Sequence, residues 1–158
     1  MLDFVMEKCK NCGENHFIYK TDFKCYQCNK RICKTCGTSR SYLSDQGKFC
    51  LECPTCYNEV NVKIRKMPTS ENGNIREYNI VKEKASVDYS KYFSNPSSAL
   101  EYFKHVALSY NFNGIIYLKT ESFTVDRREI INLTDRKTKG YQLAYRVSGI
   151  FVVIEKQL

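Results

Sequence analysis

Cys25-Tyr26-Gln27-Cys28-Asn29-Lys30-Arg31-Ile32-Cys33-Lys34-Thr35-Cys36-Gly37 holds two Cys-x-x-Cys pairs separated by four residues. Two thiolates spaced in this way can chelate one ion from a tight turn, and a structural zinc needs four ligands. Each pair is therefore half a tetrahedral site and needs a second pair. The chain supplies candidates on both sides: Cys9-Lys10-Asn11-Cys12-Gly13 upstream and Cys50-Leu51-Glu52-Cys53-Pro54-Thr55-Cys56 downstream. In the last segment Cys50/Cys53 and Cys53/Cys56 are both valid pairs, and one cysteine is surplus. Proline after Cys53 pre-sets a turn backbone and favours Cys53/Cys56, with Cys50 as the alternate ligand.

All nine cysteines of the 158-residue chain fall between residues 9 and 56, so the composition changes near residue 60. Two units are expected. Residues 1–60 are poor in aliphatic side chains and need metal to fold. Residues 61–77 read as a linker or hairpin. Residues 78–158 lack cysteine and are rich enough in Ile, Val, Leu, Phe and Tyr to build a core of their own.

The formal charge of +8 divides unevenly, with +2 on residues 1–60 and +6 on residues 61–158. Eight thiolates holding two Zn²⁺ bring the first unit to about −2, so the basic character belongs to the second. Nucleic-acid binding, if present, would use Arg127, Arg128, Arg136, Lys137 and Lys139. Dense Cys-x-x-Cys pairs without a secretory signal point to metal ligation in a reducing, cytoplasmic compartment rather than to disulfides. No run of 18 apolar residues is available to span a membrane.

His16 could replace a cysteine ligand, but enough cysteines exist without it, and it reads as an exposed polar residue. Val60, Val62 and Ile64 alternate with Asn61, Lys63 and Arg65, which predicts a strand. Tyr78-Asn79-Ile80-Val81 predicts another after a polar Pro/Gly turn. Ser94-Asn95-Pro96 is a helix start, with cap candidates before a proline suited to the first turn. Ala99, Leu100, Phe103, Val106, Ala107 and Tyr110 then fall on one helical face, with His105 off its centre and exposed. The segment 111–114 stops this helix. Ile115-Ile116-Tyr117-Leu118 begins a buried strand, and 141–154 a long one with Gly149 as a bulge or close-packing point. The fold class is α+β: a small double-zinc module followed by a compact antiparallel sheet with one packed helix.

With Cys53/Cys56 as the last pair, the gaps and their order resemble those of the FYVE zinc-finger family, over residues 9–60. Cys28-Asn29-Lys30-Arg31-Ile32-Cys33-Lys34-Thr35-Cys36 is similar to that family's central segment, and Cys53-Pro54-Thr55-Cys56-Tyr57-Asn58-Glu59-Val60 to its closing one. The resemblance implies a cross-braced treble-clef module, with Cys9, Cys12, Cys33 and Cys36 on one zinc and Cys25, Cys28, Cys53 and Cys56 on the other. Two consecutive four-cysteine ribbons would use the same residues. The family's phosphoinositide-binding basic run before the third cysteine is missing: Thr21-Asp22-Phe23-Lys24 precedes Cys25, and Tyr26 follows it. A phosphomonoester needs converging cationic donors, and Lys24, Lys30, Arg31 and Lys34 are the ones nearby. A phosphoinositide membrane partner is therefore not carried over.

RING fingers are cross-braced too, and Cys53-Pro54-Thr55-Cys56 resembles their final pair. Cys28 stands where they usually have histidine, and Asn11 where the groove for a conjugating enzyme usually has an aliphatic residue. The second unit resembles the small YbjQ-type family, named for heavy-metal binding. The segment from Ala99-Leu100 to Asn113-Gly114-Ile115-Ile116 is similar to its helix-to-strand unit, and Ala144-Tyr145-Arg146-Val147-Ser148-Gly149-Ile150-Phe151-Val152-Val153-Ile154-Glu155 to its closing strand. That resemblance implies a helix on an antiparallel sheet and homo-oligomeric assembly. Without a cysteine there, it implies no metal site.

No nucleophile elbow or Gly-rich phosphate loop is present, and all-cysteine sites are closed rather than catalytic. The expected function is a non-enzymatic, zinc-binding recognition adaptor with a protein partner. A RING-like ubiquitin-ligase scaffold and a nucleic-acid binder are the alternatives.

Overall fold

The computed structural model describes residues 8–13, 24–32, 36–40, 51–133 and 139–158. The fold is α+β: the described residues form two α-helices and a four-stranded antiparallel sheet, with cysteine groups in the N-terminal part. The chain divides into two compact units, Met1–Val62 and Lys63–Leu158.

Among the described residues, the first two cysteine-bearing segments of the first unit form short turns. The Gly13 N–H donates to the Cys9 carbonyl at 2.9 Å and the Asn29 N–H to the Cys25 carbonyl at 2.7 Å. Each turn ends in a left-handed residue, with φ +71° at Gly13 and +59° at Asn29. Glycine adopts that conformation freely, and asparagine is the side chain that tolerates it best. Lys24 and Arg31 form an antiparallel bridge around the second turn, and Thr38 and Glu52 form another.

Helix α1 spans Pro54–Lys66. This corrects the expectation of a strand through Val60, Val62 and Ile64. It also corrects part of the linker or hairpin at 61–77, since residues 61–66 are helical. Pro54 suits a first helical position because its missing N–H costs no intrahelical bond. The first i to i−4 bond runs from the Tyr57 N–H to the Cys53 carbonyl at 2.9 Å. Cys56, Val60 and Ile64, spaced by four, are buried, whereas Val62 is 37 % exposed. The apparent alternation was a helical stripe with one outward valine.

In the second unit every strand pairs with β4 (Tyr141–Lys156). β3 (Gly114–Asp126) runs antiparallel along one side. β1 (Tyr78–Glu83) and β2 (Asp88–Tyr89) follow one another along the other. Residues 68–72 are not a free linker. Ile115 donates to the Pro68 carbonyl at 3.2 Å, Ser70 to the Ile115 carbonyl at 2.9 Å and Tyr117 to the Asn72 carbonyl at 3.0 Å. The β3 register slips between Ile116 and Lys119, and Tyr117 inside the slip has φ +51°. Opposite this bulge lies Gly149, where an added Cβ would sit 2.7 Å from Ile115 Cγ2 and 3.0 Å from the Ile116 carbonyl oxygen. Gly149 is thus a close-packing point, as its place in the strand suggested.

Helix α2 (Pro96–Ser109) begins as its sequence indicated: Asn95 caps it by accepting from the Ser98 N–H at 2.8 Å. It ends in a Schellman arrangement, with Asn111 donating to Leu108 at 3.0 Å, Phe112 to Ala107 at 2.9 Å, and Asn111 at φ +65°. Ala99, Phe103 and Ala107 are fully buried, and the Phe103 ring lies 4.8 Å from that of Phe151. Two expectations change. His105 is buried, at 7 % exposure, while Tyr110 is 63 % exposed. The buried arc turns toward the side of Tyr102, whose ring meets Phe93 at 5.2 Å. Likewise Ile115 and Ile116 are buried but Tyr117 is not, because the bulge rotates it outward. A second cluster, Ile75, Ile116, Val152 and Ile154, packs with Tyr78, Ile80 and Ile150.

Candidate metal centre

The described cysteines fall into two groups. Cys25, Cys28, Cys53 and Cys56 form one, and Cys9, Cys12 and Cys36 the other, with the sulfurs in each group within 4.8 Å of one another. The groups alternate along the chain: the first and third pairs contribute to one, the second and fourth to the other. Among the described residues, Cys53 and Cys56 complete the four-cysteine group. Cys33, Cys50 and His16 lie outside the described residues.

The donor set fits a tetrahedral metal. With metal–sulfur bonds of about 2.3 Å, the edge of the sulfur tetrahedron is about 3.8 Å. The Cys28 and Cys53 sulfurs stand 3.9 Å apart, far beyond disulfide length. Cys25, Cys53 and Cys56 are buried and Cys28 half-buried, so the group is closed to solvent on most sides. In the other group Cys9 is buried, Cys36 half-buried and Cys12 exposed.

Hydrogen bonds prepare the four-cysteine group for cation binding. Burial alone would raise the Cys28 thiol, but the Lys30 backbone N–H and the Cys25 and Cys56 thiols bring it down to about 6. Burial opposes ionisation of Cys53 too, yet the Cys56 backbone N–H, at the start of α1, and the Cys56 thiol lower it. Cys56 moves the other way: it is raised by burial and by its hydrogen bonds to Cys53 and Cys28. Without metal, then, the proton is held more tightly on Cys56 than on Cys28 or Cys53. A bound cation displaces that proton.

Two polar features near the cysteines had no signature in the spacing. Lys10, in the first turn, donates from Nζ to Cys53 Sγ at 3.4 Å and to Cys28 Sγ at 3.5 Å. Arg40 and Glu52 form a buried two-pronged ion pair, Nε to Oε1 at 2.8 Å and Nη2 to Oε2 at 3.2 Å, at 1 % and 0 % side-chain exposure. Arg40 also reaches Asn61 Oδ1 at 2.6 Å and the Tyr57 carbonyl at 3.3 Å, and its guanidinium carbon lies 4.5 Å from the centre of the Tyr57 ring. Tyr26 joins this hub: burial, the nearby Glu52 carboxylate and a hydrogen bond to it push the phenol up. Tyr26 itself remains 39 % exposed.

Several basic residues of the second unit are engaged within it. Arg128 is bonded to Asp126 through Nη2 at 2.8 Å and Nε at 3.1 Å, and the guanidinium holds the Asp126 carboxyl down at about 2. Arg127 bonds Gln142. Lys84 pairs with Asp88 at 2.7 Å and Lys119 with Glu121 at 2.6 Å. Arg146 lies over the rings of Tyr89 and Phe123 at 4.6 and 4.8 Å. Lys139 is exposed, and Arg136 and Lys137 lie outside the described residues. Among the described residues no helix is long and apolar enough to cross a membrane.

No family model, curated protein or solved structure matches the chain.

Proposed function

We propose that this protein is a non-enzymatic zinc-binding recognition protein. Its N-terminal unit, held by two zinc ions, presents a surface to a protein partner, and its helix-on-sheet unit docks or self-assembles. The observation that carries the reading is the pair of interleaved cysteine groups, one of which offers four sulfurs within 4.8 Å of one another. A four-thiolate set leaves no coordination position for water or substrate, so its metal folds the chain rather than reacting. The contribution of such a metal is on the order of 10 kcal/mol as coupled binding and folding. Cys33 would complete the three-cysteine group. Zinc is favoured among metals by soft thiolate ligands in tetrahedral arrangement.

The test is elemental analysis of the full chain, followed by capture of partners on the wild-type chain and on Cys25→Ser. Two zinc ions per chain, and a partner lost with Cys25→Ser, are expected. Fewer than two ions would refute the double centre, and a partner retained by Cys25→Ser would move recognition to the sheet unit. Autoubiquitination abolished by Cys25→Ser would put the ligase scaffold first.

A further inference from the structure

The position of Lys10 within its own turn links the two cysteine groups. It stands between Cys9 and Cys12, yet its ammonium donates to Cys53 and Cys28 of the other group, at 3.4 and 3.5 Å. Its backbone is anchored as well, through a 2.9 Å bond from the Lys10 N–H to the Arg31 carbonyl. Arg31 in turn is bridged to Lys24, beside Cys25. The root of the side chain is therefore fixed by the first turn, and its tip by the thiolates of the second group.

Four thiolates around Zn²⁺ carry a net charge of −2. In the second group that charge is largely buried, since Cys25, Cys53 and Cys56 are all buried. A counter-charge that also donates hydrogen bonds lowers the cost of this arrangement and fixes the sulfur positions. We propose that Lys10 is a positioning residue that makes metal retention at Cys25, Cys28, Cys53 and Cys56 depend on the integrity of the Cys9/Cys12/Cys36 centre. When the first centre loses its metal, the turn that roots Lys10 is released, and the second centre loses its ammonium partner. Loss of metal is then ordered: the exposed Cys12 side opens first, and the buried group follows. The inference rests on the reading of both groups as zinc centres.

The test uses the zinc-loaded full chain, with zinc release to a chromophoric chelator and alkylation of individual cysteines read by mass spectrometry. In Lys10→Ala, alkylation of Cys28 and Cys53 and release of one zinc are expected to accelerate about tenfold, the lower end of effects from residues bonded to metal ligands. Cys9, Cys12 and Cys36 keep their wild-type rates. Lys10→Arg, which retains charge and donors, stays within about threefold of wild type. Cys12→Ser speeds loss from the second centre, and adding Lys10→Ala to it changes that rate less than about twofold, because the two act through one contact. The inference is overturned if Lys10→Ala leaves Cys28 and Cys53 at wild-type rates, or accelerates all cysteines equally through general loosening. Fewer than two zinc ions in the wild-type chain would instead remove the reading it rests on, and the inference with it.

Discussion

Replacing Arg40 by methionine removes one side of an ion pair whose partners are 1 % and 0 % exposed. The variant strands the Glu52 carboxylate, which in the native chain takes two guanidinium bonds at 2.8 and 3.2 Å. It also removes a donor from Asn61 Oδ1 and one from the Tyr57 carbonyl. The Tyr26 phenol remains as partner to Glu52, but one neutral donor does not compensate a buried charge. Breaking a buried pair from one side costs about 3–5 kcal/mol, so the unfolding equilibrium of this unit should shift by roughly two to four powers of ten. Arg40→Met/Glu52→Leu removes both charges and should cost about 2 kcal/mol less than the two single changes summed. All nine cysteines lie between residues 9 and 56, so pulsed thiol alkylation across a urea series reports this unit without interference from the sheet. A cost below about 1 kcal/mol for Arg40→Met, or strict additivity in the double variant, would show that the pair is not the buried brace described.

Three further outcomes are expected. Gly149→Ala should destabilise the sheet unit by about 1–3 kcal/mol, because its Cβ would meet Ile115 Cγ2 at 2.7 Å and the Ile116 carbonyl at 3.0 Å. Thermal unfolding checks it, and an unchanged midpoint would contradict the close packing. Asn95→Ala removes the cap that accepts from the Ser98 N–H at 2.8 Å and should cost about 1 kcal/mol by the same measurement. Asp126 should titrate near 2 by NMR, against an ordinary value of 3.8, and Arg128→Ala should bring it back toward that value. The folded-state value is depressed, so this pair stabilises the fold above about pH 4 and its contribution disappears as the pH falls toward 2.

The pairing of the cysteines was legible because a Cys-x-x-Cys turn brings two thiolates close enough to share one ion. The same holds for the start of α2, where a cap and a proline act within three residues. The segment after Cys56 misled because Val60 and Ile64 satisfy both a two-residue and a four-residue period. Cys56 decides between them: it is buried, and 56, 60 and 64 make one helical stripe. His105 was misplaced for a related reason, since the apolar positions alone did not reveal that Tyr102 widens the buried arc toward Phe93. The Arg40–Glu52 hub and the Lys10 contacts left no trace, because side chains 12 and 43 residues apart meet only once the turns are folded.

Because β1, β2 and β3 each take β4 as their partner strand, the sheet has one hub, and it comes after all its spokes in the chain. A ribosome must release residues 141–156 before any of those ladders can close, so the strands already made wait unpaired with their apolar faces uncovered. A chain interrupted before residue 141 keeps its cysteine groups and both helices but has no strand on which to build the sheet. Early termination therefore yields a chain exposed to aggregation rather than a smaller version of the same fold.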